Sequence, residues 1–129
     1  MSSIRAIVIA HAKLAQALVS AVDVIAGRGS EFRALSNEGL GAADVAATLK
    51  AALDETGAQV VFTDLPAGSC TLAARRLLRD RPGLRVVVGV NLPMLLDYAL
   101  RETPGGADVA TAAERGRESI RVVDDASVR

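Results

Sequence analysis

Three polar residues each stand one step beyond a short apolar run. His11 follows residues 4–10 (IRAIVIA), Asp64 follows residues 58–63 (AQVVFT) and Asn91 follows residues 84–90 (LRVVVGV). His11 is the only histidine in the chain. A histidine joined to a carboxylate forms a chemical unit. The carboxylate accepts the proton of one ring nitrogen, fixes the tautomer, and leaves the other nitrogen as acceptor or nucleophile. It also stabilises the imidazolium that forms when that nitrogen is attacked or protonated. Position alone allows plainer roles as readily: a loop histidine without a task, and an aspartate that caps or turns the chain.

The segment after Asp64 adds a second element of chemistry. Leu65-Pro66-Ala67-Gly68-Ser69-Cys70-Thr71 reads as a strand-to-helix turn with a glycine and two hydroxyl residues. Free backbone N–H groups at a helix start favour phosphate. Gly68, Ser69 and Thr71 are therefore the candidate phosphate-binding residues, and helix capping by Ser69 is compatible with that role. The segment is not a P-loop, since no G-x-x-x-x-G-K-[ST] occurs, and without G-x-G-x-x-G a dinucleotide site is unsupported. Cys70, the only thiol, is expected to be a buried structural cysteine rather than a nucleophile. Arg75, Arg76, Arg79 and Arg81 form a solvated helix face or a docking surface for an acidic partner. One histidine without clustered carboxylates beside it gives no metal site, and no cofactor is expected.

These residues need elements that bring them to one place. Strand-like and helix-like segments alternate with little between them. Strands are expected at 4–10, 31–36, 58–63 and 84–90, and a short terminal one at 120–123. Helices are expected at 14–26, 42–56, 69–80, 93–101 and 107–119. Leu14, Leu18, Val22 and Ile25 mark the apolar stripe of the first helix; Val45, Leu49 and Leu53 mark that of the second. Gly27 and Gly57 supply stops. Residues 103–106 (TPGG) break the pattern. Alternating strands and helices imply parallel β-α-β units with right-handed crossovers. The fold expected is α/β: three layers, doubly wound, with a mainly parallel sheet and helices on both faces. Ligands bind outside the carboxyl ends of such strands, at the point where strand order reverses. An order of 2-1-3-4 would make the first and third strands neighbours and let His11 meet Asp64. The terminal strand is an edge strand or pairs with another subunit.

Composition narrows the classes. The chain has 129 residues, half of them hydrophobic, which suits one domain over residues 1–129 and excludes intrinsic disorder. Fifteen basic and fifteen acidic residues cancel, arguing against nucleic acid held by counterion release. With no Trp, one Tyr and two Phe, base-stacking platforms are hard to build. A single Cys makes no internal disulfide. No apolar run reaches the roughly 18 residues of a membrane span, and the first residues lack the pattern of a signal peptide. A soluble cytoplasmic protein without membrane insertion is expected.

Taken with these residues, I-V-I-A-H at 7–11, V-F-T-D-L-x-x-G-S at 61–69 and V-V-V-G-V-N-L-P-M-L-L at 86–96 resemble the EIIA domain of the mannose family of the bacterial sugar phosphotransferase system. The resemblance covers about residues 3–123, and the third piece is its most specific part. It implies a cytoplasmic phosphotransferase component that takes a phosphoryl group from the phosphocarrier HPr and passes it to an EIIB component during sugar uptake. It implies a homodimer in which a C-terminal strand joins the partner's sheet, with possible association with membrane EIIC and EIID components. His11 corresponds to the histidine phosphorylated on Nε2, Asp64 to the aspartate bonded to its Nδ1, and Ser69 to the serine of the family's G-G-S motif. Direct transfer between histidines would need no magnesium.

The chain departs from the family in two places. Ala12 stands where His-Gly is usual, and Pro66-Ala67-Gly68-Ser69 stands where a bulky residue and Gly-Gly-Ser are usual. The added Cβ atoms and the lost backbone donor bear on phosphate geometry and partner choice. Other readings are a phosphocarrier subunit for dihydroxyacetone kinase and a regulatory binding module of the same fold. A receiver domain would need an acidic cluster at the strand ends, where only Asp64 is in place.

Overall fold

The computed structural model of the chain describes residues 4–101 and 109–127. Its first strand, β1 (Ala6–Ala10), has the sequence AIVIA and no exposed residue. Side chains alternate across a strand, so a strand apolar at every position needs cover on both faces. Helices supply it. After β1 come α1 (Leu14–Ala26), β2 (Phe32–Ser36), α2 (Ala42–Thr56), β3 (Val60–Thr63), α3 (Ser69–Leu77), β4 (Arg85–Val88), α4 (Leu92–Leu100) and α5 (Val109–Glu118). The four strands pair in parallel in the order β2-β1-β3-β4.

The alternation sorts the core into two halves. Ala6, Val8 and Ala10 of β1, with Val60 and Phe62 of β3, pack against α1, α4 and α5. Ile7, Ile9 and Val61 point the other way and pack against α2 and α3. Tyr98 of α4 closes the first half. Its ring meets the edge of Phe62 at 5.4 Å, and the Arg5 guanidinium lies 4.6 Å over it. The expected architecture, a parallel sheet ordered 2-1-3-4 with helices on both faces, is the one observed.

Several details differ from the expected elements. The stripe of α1 is rotated: Ala15, Leu18, Val19 and Val22 meet the core, while Leu14 and Ile25 are 43% and 61% exposed. In α2, Val45, Leu49 and Leu53 are buried as expected. Gly89 takes φ +81, a conformation open to glycine, and ends β4 at Val88. Helix α3 stops at Leu77, where a bond from Leu78 N to the Arg75 carbonyl tightens the turn. Residues 120–123 form no edge strand on the chain's own sheet, and Ile120, Val122 and Val123 are exposed. The break expected at residues 103–106 and the start of the helix expected at 107 lie outside the described residues.

Candidate functional site

Register decides what meets at the carboxyl edge of the sheet. Ile9 of β1 pairs with Thr63 of β3. The residues just beyond, His11 and Asp64, are therefore side by side where the chain order reverses between β1 and β3. Asp64 Oδ2 accepts two hydrogen bonds from His11: the backbone N–H at 2.9 Å and ring Nδ1 at 2.8 Å. The Asp64 side chain is 8% exposed and the His11 side chain 42%. Burial alone would push the Asp64 carboxyl up. The two His11 donors, with the aspartate's own N–H, outweigh it and hold the carboxyl below its ordinary range. An ionised carboxylate only accepts, so Nδ1 carries a proton, and in the neutral ring it is Nε2 that holds the lone pair.

The start of α3 faces that lone pair. Gly68 precedes the helix at φ +116, and a Cβ placed on it would lie 3.4 Å from His11 Cε1 and 3.8 Å from Nε2. Glycine is favoured there for its backbone angle, and a Cβ in its place would only touch the imidazole at ordinary contact distance. No side chain caps α3. Its first-turn N–H groups thus have no intrahelical acceptor and carry the positive end of the helix dipole beside Nε2. A nucleophilic nitrogen, fixed in tautomer and set against an anion-favouring helix start, can take up and hold a phosphoryl group.

The family model described as "PTS system fructose IIA component", EIIA-man, matches residues 5–114. The chain belongs to the EIIA-man family of phosphotransferase-system components. It is 36% identical over 76 residues to the mannose-specific EIIAB component of Escherichia coli, an alignment covering 57% of this chain and 24% of that protein. The match thus spans about a quarter of its curated relatives' length. Among solved structures, the mannose/sorbose-specific IIA subunit from Enterococcus faecalis superposes with a TM-score of 0.80 at 23% identity. That match covers 94% of this chain and 95% of the other. An EIIA component from Streptococcus agalactiae gives 0.81 at 23% identity, covering 96% and 98%. These likenesses establish the fold.

Within this EIIA-man domain the other candidates divide. Ser69 is the first helical residue, not the cap. Its Oγ accepts from Asn37 Nδ2 at 3.2 Å. Thr71 is corrected: its hydroxyl is buried, donates to the Leu65 carbonyl and shares a 2.6 Å bond with Thr63. With its one proton committed, the Thr71 hydroxyl has none left for a phosphoryl oxygen, and only its backbone N–H remains for that role. It ties α3 to the turn after β3 instead. Asn91 is also spent: Oδ1 caps α4 by accepting from Met94 N, and Nδ2 donates to the Gly116 carbonyl of α5.

Cys70 is fully buried, and its thiol is pushed up first by burial and then by the negative charge of Asp64. Such a thiol stays protonated and unreactive. His11, Asp64 and Cys70 offer donor atoms within 4.8 Å of one another. Two of these side chains already bond each other, His11 Nδ1 to Asp64 Oδ2.

Two residues escaped the sequence reading. Ser36 Oγ donates to the Ala12 carbonyl at 2.6 Å and accepts from Glu38 N at 2.9 Å. Ala12 itself sits at φ +51, the left-handed region, immediately after His11. Asn37 joins β2 to α3 through Ser69. Both residues lie at the carboxyl end of β2, so the rule that singled out His11, Asp64 and Asn91 applied to them too.

Proposed function

We propose that this chain, over residues 1–129, is a cytoplasmic EIIA phosphoryl carrier of a sugar phosphotransferase system. It accepts phosphate from HPr on His11 and passes it to an EIIB component. The observation that carries the reading is the 2.8 Å bond between His11 Nδ1 and Asp64, which leaves Nε2 as a nucleophile against the uncapped start of α3.

The Nε2 lone pair attacks the phosphorus of phosphorylated HPr, and the donor's P–N bond breaks with its electron pair returning to the donor nitrogen. The His11 ring gains positive character, which the buried Asp64 carboxylate stabilises through the Nδ1 proton. Ser69 Oγ and the backbone N–H groups after Gly68 hold the phosphoryl oxygens without reorganising. Transfer to EIIB reverses these steps: the Nε2–P bond breaks, and its electrons return to the imidazole. Leu14, Leu40 and Leu65 are exposed on the segments that carry His11, the β2–α2 loop and the turn after Asp64. Such apolar side chains around a reactive atom suit docking of a protein donor.

The same reading includes a homodimer. Among the described residues strand β4 has one unpaired edge, and residues 120–123 carry three exposed apolar side chains, so this segment suits addition to a partner's β4. Incubation with phosphoenolpyruvate, enzyme I and HPr should add one phosphoryl group, labile in acid and stable in base, at His11. The His11→Ala variant should fold and take none. Phosphorylation of that variant at the wild-type rate refutes the assignment.

A further inference from the structure

We infer that Asn37 is a positioning residue of the phosphoryl site and acts through Ser69. The inference rests on the carrier reading of His11. A hydroxyl has one proton to give and two lone pairs that accept. Asn37 Nδ2 donates to Ser69 Oγ at 3.2 Å, so one lone pair is filled and the Ser69 proton cannot be given to that nitrogen. The amide thereby sets the serine as a donor. In the unphosphorylated site the Ser69 hydroxyl also bonds the Cys70 thiol, a weak acceptor. Because the preceding Gly68 lies beside the Cε1–Nε2 edge of His11, an oxygen of a phosphoryl group on Nε2 is the stronger acceptor this proton would turn to.

Asn37 is itself held. Its backbone N–H donates to the Ala10 carbonyl at 3.4 Å, and the preceding Ser36 bonds the Ala12 carbonyl at 2.6 Å. The end of β2 thus grips the His11 loop on one side and the start of α3 on the other. It fixes the distance between nucleophile and donor. A serine free to rotate would spend part of its time with its proton directed elsewhere.

The test compares wild type, Asn37→Ala, Asn37→Asp, Ser69→Ala and the Asn37→Ala/Ser69→Ala double variant. Each is loaded at His11 both by HPr with enzyme I and by phosphoramidate, a small chemical phosphoryl donor. Uptake rate, half-life of the phosphorylated form and the phosphorus NMR shift are read. Asn37→Ala should slow uptake about threefold to tenfold, the worth of one neutral hydrogen bond. Asn37→Asp has the same shape but only accepts. It should take the Ser69 proton, set a negative charge near the phosphoryl group and be slower than Asn37→Ala. In the Ser69→Ala background, Asn37→Ala should change nothing further.

A purely structural Asn37 would make Asn37→Asp resemble wild type and leave the Asn37→Ala effect undiminished without Ser69; either result overturns the inference. Wild type loaded at His11 by phosphoramidate but not by HPr removes the carrier reading, and the same variant comparison then decides the role of Asn37. Wild type loaded at His11 by neither donor overturns both.

Discussion

Asp64→Asn isolates the charge of the His11 partner while keeping its volume. In the wild type, one carboxylate oxygen accepts the His11 backbone N–H at 2.9 Å and ring Nδ1 at 2.8 Å, and the side chain is only 8% exposed. The backbone bond is made before and after phosphoryl transfer, so it contributes nothing to the barrier. The Nδ1 bond strengthens as the ring gains positive character. A hydrogen bond to a charged group contributes about 1.5–3 kcal/mol, and its loss slows a step by a factor of about 10 to 150. If the introduced amide nitrogen faces Nδ1, the proton moves to Nε2, blocks the nucleophile and brings the loss to the upper end. The assay is single-turnover transfer from phosphorylated HPr by rapid quench, with nitrogen NMR reporting the His11 tautomer. A folded Asp64→Asn protein that transfers at the wild-type rate would refute the reasoning, because the carboxylate bonded to the ring would then have no part in the chemistry.

Stability should have an acid limb governed by Asp64. Its carboxyl is held below the unfolded value of about 3.9, so its contribution is complete above that pH and disappears as pH falls through the native value. Denaturant midpoints between pH 5 and 2 should decline less steeply in Asp64→Asn, and identical slopes in the two proteins would contradict this. Ala12→Gly removes a left-handed alanine that costs about 1–2 kcal/mol and adds about 0.4–1 kcal/mol of unfolded-state entropy. Urea unfolding should therefore show a gain between zero and about 1.5 kcal/mol, and a clear loss would mean that the Ser36 contact holds the loop in some other way. Gly68→Ala forces a side chain into φ +116 and against His11, so it should cost about 1–3 kcal/mol and slow phosphoryl uptake. Wild-type stability and rate in that variant would remove the close approach of ring and helix from the mechanism.

The fold was legible where burial is two-sided. β1 is apolar at every position because both of its faces are covered, and that run cannot be mistaken for a half-exposed strand. The strand order followed from a chemical requirement rather than from pattern: joining His11 to Asp64 asks for β1 beside β3, and they pair. Hydrophobicity read alone failed in α1. It enrolled Leu14 and Ile25 in the core stripe, whereas Ala15 and Val19 face the sheet. A small alanine that lets a helix approach closely carries no apolar signal, and an exposed leucine three residues from His11 carries too much. Residues 120–123 show a limit of another kind, since a strand-like apolar pattern does not say which sheet edge it completes.

Legibility of the site follows from how each strand-end polar group is used. All four strand ends deliver one to the same edge: His11, Asn37, Asp64 and Asn91. Position cannot separate them, but partners can. Asn91 faces the first turn of α4, whose orphan N–H groups and the neighbouring Gly116 carbonyl consume its amide. Asn37 meets no helix start of its own. Its loop runs on through Gly39 at φ +75 before α2 begins at Ala42, so its amide reaches across to Ser69. The same contrast separates the two hydroxyls of α3. Thr71, one turn deeper than Gly68, is bonded within the core, while Ser69 sits half-buried at the rim and is bonded by Asn37. Function in this fold therefore depends less on which residues reach the sheet edge than on which of them the helices leave uncommitted. The gap between β1 and β3 leaves such groups because α1 departs to one face and α3 returns along the other. The turns that carry His11 and Gly68 border the space between them, and the end of β2 ties the two together.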